Sequence, residues 1–236
     1  VHLVIARSGE AENLEFDITR KNLVLPTVSS QMLENHTGYI QVTEFTEHTA
    51  EQFEEALDSL QGDGMTALIV DLRSNPGGML TSVCDMLDDI LPKGLLVYTE
   101  DRSGKRVDYT STDEKTLDLP LAVLVNGYSA SASEIFAGAI QDYDLGAIVG
   151  TQTYGKGVVQ QIFDLKDGTC VKLTIAKYFT AKGQDIDGKG ITPDVKIKYQ
   201  SDEENPDADN QLEKAVETVK AQMKYCLLYT SPSPRD

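Results

Sequence analysis

Short apolar runs alternate with amphipathic segments along most of this chain. The runs Thr66–Leu72 and Leu121–Asn126 have the length and continuous apolarity of strands buried on both faces of a parallel sheet. Before, between and after these two runs, three segments carry apolar residues at helical spacing. These residues are Phe53, Leu57 and Leu60; Leu80, Val83, Leu87 and Ile90; and Ile135, Phe136, Ala139 and Ile140. Repeated strand–helix–strand alternation predicts an α/β layered core with a parallel sheet and flanking helices.

Further elements are predicted on both sides of this core. Val1–Ala6 and Leu14–Arg20 have the pattern of two strands joined by a polar turn, and a boundary is expected near Pro26, which restricts the residue before it. Thr49-x-x-Gln52 resembles a helix capping box. The remaining predicted elements are strands at Gly38–Phe45, 95–100 and 147–150, a hairpin from 158 to 179 turning at Asp167–Gly168, and an acidic surface helix at Asp207–Lys224.

Charge and cysteine content exclude several classes of protein. Lys and Arg total 21 against 38 Asp and Glu, a formal charge of −17 that repels phosphate backbones, so nucleic-acid binding is not expected. Three cysteines without a CxxC or Cys/His cluster predict no metal site. The opening VHLVIAR lacks the basic start and cleavage site of a signal peptide. We interpret it as a strand entered within a domain, with the natural N-terminus upstream.

The last eleven residues differ abruptly in composition from the acidic segment before them. One back-translation of Cys226–Asp236 reproduces the transposase adapter of short-read sequencing libraries. We interpret this segment as adapter read-through rather than as a disordered Ser/Pro tail, exclude it from the fold, and expect its deletion to leave stability unchanged.

A serine-rich segment, Asn126–Glu134, lies between a buried strand and an apolar helix. In α/β sheets, ligands and catalysis gather at such strand ends. A serine at a helix N-terminus also has backbone N–H groups and a favourable dipole nearby. Taken alone, however, the segment is better explained as a small-residue linker with capping serines.

A glycine-rich segment, Gly150–Gly157, nearly matches a phosphate-binding loop. Gly157 stands where that loop needs a hydroxyl, and a strand rather than a helix follows, which disfavours nucleotide binding. Lys156, held between glycines, can instead enter a poorly hydrated site, where a lysine pKa falls and the neutral amine can accept a serine proton. For this segment alone, a solvated hairpin lysine is the better interpretation.

The histidines do not favour a Ser–His–Asp mechanism. His2, His36 and His48 all precede the first α/β unit, and none lies in a glycine-rich or strand-end context. We expect solvated or packing roles for all three.

Taken together and in order, the motifs resemble the carboxyl-terminal processing proteases, a Ser–Lys family. The resemblance covers roughly residues 1–200 and rests on VDLRSNPGG, SASASEIFAGAIQDY, VGTQTYGKGVVQQ and KYFTAKGQDIDGKGITPDV. It implies that Ser131 is the nucleophile, Lys156 the general base and Gln160 the residue that orients the lysine. Even spacing along a strand would place Lys156 and Gln160 on one face.

The same resemblance assigns the neighbouring positions. It implies an oxyanion hole made of the N–H of Ala132 and one from Gly77 or Gly78. For Asp142 we expect a structural role, and for Glu134 a capping role.

The resemblance also implies a domain organisation. We expect residues 1–27 to be the C-terminal strands of a truncated PDZ domain and residues 28–200 to be a crotonase/ClpP-like protease core. An acidic helix at 201–225 and the adapter segment at 226–236 complete the chain.

The function implied is a serine endopeptidase that cleaves proteins near their C-termini through an acyl-enzyme, without metal or cofactor. Its partners would be proteins or peptides presenting a C-terminus, with peripheral membrane or homo-oligomer association left open, and its location extracytoplasmic, in the periplasm or cell envelope. The alternatives are a non-catalytic binding protein on the same fold, as in retinoid-binding relatives, and a nucleotide-binding protein.

Overall fold

The computed structural model describes residues 1–21, 23–112, 116–202, 204–206 and 208–230, with side chains described through Met223. The strands are β1 (His2–Ile5), β2 (Leu14–Asp17), β3 (Val28–Leu33), β4 (Thr37–Val42), β5 (Ala67–Asp71), β6 (Gly94–Asp101), β7 (Arg106–Ser111), β8 (Leu121–Val125), β9 (Ala147–Gly150), β10 (Val158–Asp164), β11 (Cys170–Thr180) and β12 (Val195–Lys196). The helices are α1 (Thr49–Gly62), α2 (Leu80–Asp88), α3 (Ala132–Asp142) and α4 (Asn210–Thr230).

A six-stranded sheet forms the centre of the molecule, in the order β12-β9-β8-β5-β4-β3. The five strands from β12 to β4 are parallel, as the alternating pattern predicts, while β3 pairs antiparallel with β4 at the edge. The sheet is therefore mixed rather than purely parallel. The pattern does not predict β3, because Ser29, Ser30 and Gln31 interrupt its apolar positions and pairing with β4 holds it in place.

Helices cover both faces of this sheet. Apolar residues of α1, α2 and α3 share one buried cluster with Leu68 and Val70 of β5. The alternate residues Ala67 and Ile69 point to the other face, where they pack with α4. Up to Met223, α4 has one side packed on the sheet and one side facing solvent, as expected for a surface helix. Its expected first residue, Asp207, lies outside the described residues.

An ion network fastens the start of α4 to the carboxyl end of β5. The Arg73 guanidinium lies 2.6 Å from Asp71 Oδ2 and 2.8 Å from Asp209 Oδ2. Tyr39 donates its hydroxyl to Asp71 Oδ2 at 2.7 Å, and burial raises the pKa of Tyr39, which keeps that phenol neutral. The turn that follows Arg73 is thereby fixed against the sheet.

A separate antiparallel sheet, in the order β10-β11-β6-β7, stands beside the central one. The β10–β11 hairpin turns at Asp167–Gly168, as predicted, but the pattern does not show that it joins β6 and β7. The first two strands, β1 and β2, form their own antiparallel pair.

The predicted capping box at the start of α1 was wrong. His48 at the N-cap makes no side-chain capping bond, and Thr49 Oγ1 instead accepts the N–H of Thr46 at 2.8 Å. The Gln52 Oε1 atom accepts the N–H groups of Thr27 at 2.8 Å and Val28 at 3.2 Å, so it holds the start of β3.

The backbone of α4 continues to Thr230, five residues into the segment interpreted as adapter read-through. Residues 231–236 of that segment lie outside the described residues. Within the described part of the chain, no helix is both long and apolar enough to cross a bilayer.

Candidate active site

A cleft of about 430 Å³ opens at the carboxyl ends of β5, β8 and β9, three neighbouring parallel strands. Neighbouring parallel strands end at the same sheet edge, so the loops after them (residues 72–79, 126–131 and 151–157) converge there. All six positions that the resemblance implicates line this cleft: Gly77, Gly78, Ser131, Ala132, Lys156 and Gln160.

Ser131 occupies a strained turn immediately before α3. Its backbone has φ 56° and ψ −114°, a conformation that non-glycine residues rarely adopt and that costs about 1–3 kcal/mol. The turn leaves Ser131 partly exposed at the cleft and at the N-terminus of an eleven-residue helix.

The two neighbouring serines are fully buried and hold the turn. Ser129 Oγ donates to the carbonyl of Leu72 at 2.7 Å and accepts the N–H of Asn126 at 2.9 Å. Ser133 Oγ donates to the carbonyl of Asn75 at 3.0 Å. Both hydroxyls therefore bind backbone groups, and of the three serines only Ser131 lines the cleft.

The glycine turn after β5 packs against Ser131. Gly77 has φ +101°, and a Cβ there would lie 2.8 Å from Ser131 Cβ and 2.9 Å from Ala132 N. Its N–H donates to Asn75 Oδ1 at 2.8 Å. Among the described residues, no hydrogen bond occupies the N–H of Gly78 or of Ala132. Of the two glycines, Gly78 therefore has the N–H available for a ligand.

Lys156 lies between two glycines that pack against the loop preceding β12. Gly155 accepts a hydrogen bond from the N–H of Gly188 at 2.9 Å, and a Cβ on Gly157 would come within 2.4 Å of Asp187 N. This close packing requires glycine and holds Lys156 at the cleft wall. β10 follows directly, as expected for a loop that does not bind phosphate. Across the described residues, Lys156 forms no ion pair.

The buried carboxylate of Glu134 joins the serine loop to the lysine loop. Its Oε2 accepts the backbone N–H of Ser131 and that of Lys156, each at 2.8 Å. Its Oε1 accepts the N–H of Gly155 and the hydroxyl of Thr153, each at 2.6 Å. The expected capping role accounts for only the first of these bonds. The sequence did contain a signal for the other three bonds: Glu134 is a carboxylate in a helix whose residues are mostly apolar or small.

Tyr178 of β11 was not singled out from sequence, yet it contacts the same two residues. Its ring is buried, and its hydroxyl donates to the carbonyl of Lys156 and also lies 3.2 Å from the carbonyl of Ser131. Burial raises the Tyr178 pKa, so the phenol stays protonated and able to donate. Glu134 and Tyr178 thus bind the N–H and carbonyl groups of both Ser131 and Lys156.

Gln160 lies on β10, with its exposed side chain lining the cleft. The prediction that even strand spacing relates Gln160 to Lys156 was wrong. Lys156 precedes β10, and the pairing of β10 with β11 shifts register between Val159 and Gln160. Strand periodicity therefore does not relate the two residues, and no hydrogen bond joins their side chains in the described structure.

The other polar residues considered from sequence lie away from the cleft. None of His2, His36 and His48 lines it. Asp142 Oδ2 accepts the N–H of Lys182 at 2.6 Å, which is consistent with a structural role. Among the described side chains, no three His, Cys, Asp or Glu residues cluster as metal ligands would.

Comparison with known proteins finds a matching family and similar sequences. Residues 36–197 match the model of peptidase family S41. The chain is 39% identical over 202 residues to a carboxyl-terminal-processing protease of Synechocystis sp., covering 84% of this chain and 47% of that protein. It is 38% identical over 199 residues to the carboxy-terminal processing protease CtpA of Bacillus subtilis, covering 84% and 42%.

A solved structure supports the same relationship. The photosystem II D1 C-terminal processing protease superposes with a TM-score of 0.68 at 30% identity, covering 84% of this chain and 55% of that one. The chain spans about half the length of the curated relatives it matches. Because the family model covers more than half of its residues, the chain belongs to peptidase family S41.

Proposed function

We propose that this chain is the core of a serine endopeptidase that cleaves proteins near their C-termini, with Ser131 as nucleophile and Lys156 as general base. One observation carries the proposal: of the three serines in the motif, only Ser131 lines the cleft that Lys156 also lines. The carboxyl-terminal processing relatives supply the substrate class.

The first half of the reaction forms an ester on Ser131. Neutral Lys156 accepts the hydroxyl proton as Oγ attacks the scissile carbonyl carbon, and the carbonyl oxygen becomes negative. When the C–N bond breaks, Lys156 returns the proton to the leaving amine, which departs with the C-terminal segment. In the second half, water attacks the ester and gives its proton to Lys156, and Ser131 then leaves with that proton.

The developing oxyanion would be bound by the N–H groups of Gly78 and Ala132. Both line the cleft, and both lack other partners in the described structure. The N-terminal end of α3 adds the favourable field of its dipole. Loss of one such donor typically costs about 2.7–4 kcal/mol of transition-state stabilisation.

The finer assignments drawn from the resemblance remain proposals. Gln160 would orient the Lys156 amine across the cleft. Residues 1–27 would be the last strands of a PDZ domain, and the core would be crotonase/ClpP-like. The extracytoplasmic location and any membrane or oligomer association rest on resemblance alone.

Labelling with a serine-reactive phosphonate tests the proposal. We expect an adduct on Ser131, located by mass spectrometry, that is lost in Ser131→Ala and strongly slowed in Lys156→Ala. Ser103→Ala, at the exposed β6–β7 turn, is the matched control and should label like the wild type. A folded protein that forms no adduct would instead indicate a non-catalytic binding protein.

A further inference from the structure

A second cleft of about 620 Å³ adjoins the first. It is lined by Ser74, Pro76, Tyr128, Ala130, Tyr154 and Lys156. Pro76 and Lys156 line both clefts, so the two lie side by side at the proposed general base. We call the second one the aromatic cleft.

Two tyrosine rings give the aromatic cleft its character. Tyr128 is 74% exposed and Tyr154 is 68% exposed, although such rings usually bury much of their surface. Their backbones are nevertheless anchored: the N–H of Tyr128 donates to Asn126 Oδ1 at 2.9 Å, and that of Tyr154 to the carbonyl of Ser129 at 3.0 Å. Because the backbones are already held, binding a ligand against these rings costs only the ordering of the two side chains.

The proposed reaction indicates which part of a substrate would enter. Lys156 must return a proton to the leaving amine, so the leaving segment has to pass beside it. The first cleft contains Ser131 and the free N–H groups of Gly78 and Ala132, which act on the acyl side of the bond. The aromatic cleft contains Lys156 but none of these three residues, so it continues on the leaving side.

We propose that the aromatic cleft binds a large apolar side chain of the substrate, located shortly after the scissile bond. Apart from Lys156 its lining carries no charged side chain, and two phenol rings with Pro76 and Ala130 provide apolar contact. This inference rests on the proposed function and adds a specificity that the dyad itself does not provide.

Turnover of matched peptides tests the specificity. With Leu or Phe after the cleaved bond, wild-type kcat/KM should exceed that of the Ala peptide about tenfold. In the Tyr128→Ser/Tyr154→Ser variant that ratio should approach one, whereas Tyr199→Ser, an exposed tyrosine outside both clefts, should keep it. An unchanged ratio in the double variant, or a preference confined to residues before the bond, would overturn the proposal.

A binding measurement makes the test independent of turnover. The chain contains no tryptophan, so the emission of a tryptophan peptide bound to Ser131→Ala reports only on the peptide. Tryptophan after the scissile position should shift to shorter wavelength on binding, and the tyrosine double variant should abolish that shift. A shift that persists in the double variant contradicts the aromatic cleft. Absence of phosphonate labelling in wild type contradicts the dyad instead, so the two failures are distinguishable.

Discussion

Glu134 Oε2 accepts the backbone N–H of Lys156 at 2.8 Å, although 22 residues separate them in sequence. The same oxygen accepts the N–H of Ser131 at the same distance. A single buried atom therefore relates the positions of the proposed nucleophile and base. Charge-assisted bonds of this kind are about twice as strong as neutral ones, which makes Glu134 a positioning residue for both.

Replacing Glu134 by Gln should separate the two loops at little change in volume. An amide has one accepting oxygen and one donating NH₂. Either the N–H groups of Ser131 and Lys156, or the N–H of Gly155 and the hydroxyl of Thr153, therefore lose their acceptor. We expect kcat to fall at least tenfold and the free energy of unfolding by about 1–3 kcal/mol, from kinetics and urea denaturation. Glu217→Gln, an exposed acid on α4, is the control. Wild-type kcat in Glu134→Gln would refute the positioning role.

Removing the Tyr178 hydroxyl should affect the chemical step more than binding. Tyr178→Phe keeps the buried ring but deprives the carbonyls of Lys156 and Ser131 of their donor. We expect kcat to fall several-fold, KM to stay near wild type, and unfolding free energy to drop by about 1 kcal/mol. Tyr199→Phe should change none of these quantities. A rise in KM with unaltered kcat would instead assign Tyr178 to substrate binding.

The three serines of the motif should respond differently to alanine. Ser131→Ala should abolish turnover and phosphonate labelling with little change in stability. Ser129→Ala and Ser133→Ala should keep measurable activity, and each should lose about 1 kcal/mol or more of unfolding free energy because buried carbonyls lose a donor. A phosphonate adduct on Ser129 or Ser133, with Ser131 unmodified, would overturn the assignment.

Lysine rather than histidine should be required for hydrolysis. Lys156→Ala should abolish turnover, and Lys156→Arg should fail as well, because a guanidinium keeps its proton in proteins. The combined change of His2, His36 and His48 to Gln should spare the chemical step, since none of them lines the cleft. Circular dichroism would check the fold of each variant. A folded but inactive triple variant would disprove the Ser–Lys assignment.

Neutralising Asp89 should stabilise the protein at neutral pH. Burial, with the charge of Glu54 next in importance, raises the Asp89 pKa to about 6. The folded state therefore holds this proton more tightly than the unfolded state, so stability is lost as pH rises from about 4 to 6. Asp89→Asn should gain about 1 kcal/mol at pH 7, and the gain should vanish below about pH 4. Asp118→Asn, an exposed acid, corrects for general charge repulsion, and an equal gain there would contradict the prediction.

Much of the core could be read from sequence, because strand and helix periodicity depends on near neighbours. The apolar runs of β5 and β8, the helical spacing in α1 to α3, and the Asp167–Gly168 turn all correspond to observed elements. Among the strands that were not predicted, β3 is largely polar, and β12 has only two residues and exists through pairing with β9.

For the site, the sequence by itself determined the candidates and, through the family resemblance, favoured Ser131, whereas only the tertiary structure decided which hydroxyls and N–H groups are occupied. Spacing treats three alternating serines alike, and burial of two hydroxyls against distant carbonyls singles out Ser131. Likewise, the sequence does not distinguish Gly77 from Gly78 as the oxyanion donor. In the structure, the Gly77 N–H donates to Asn75 Oδ1 instead. Glu134 reaches Lys156 only because the strands β8 and β9 end at one edge of the sheet, a relation between distant segments that no local pattern contains.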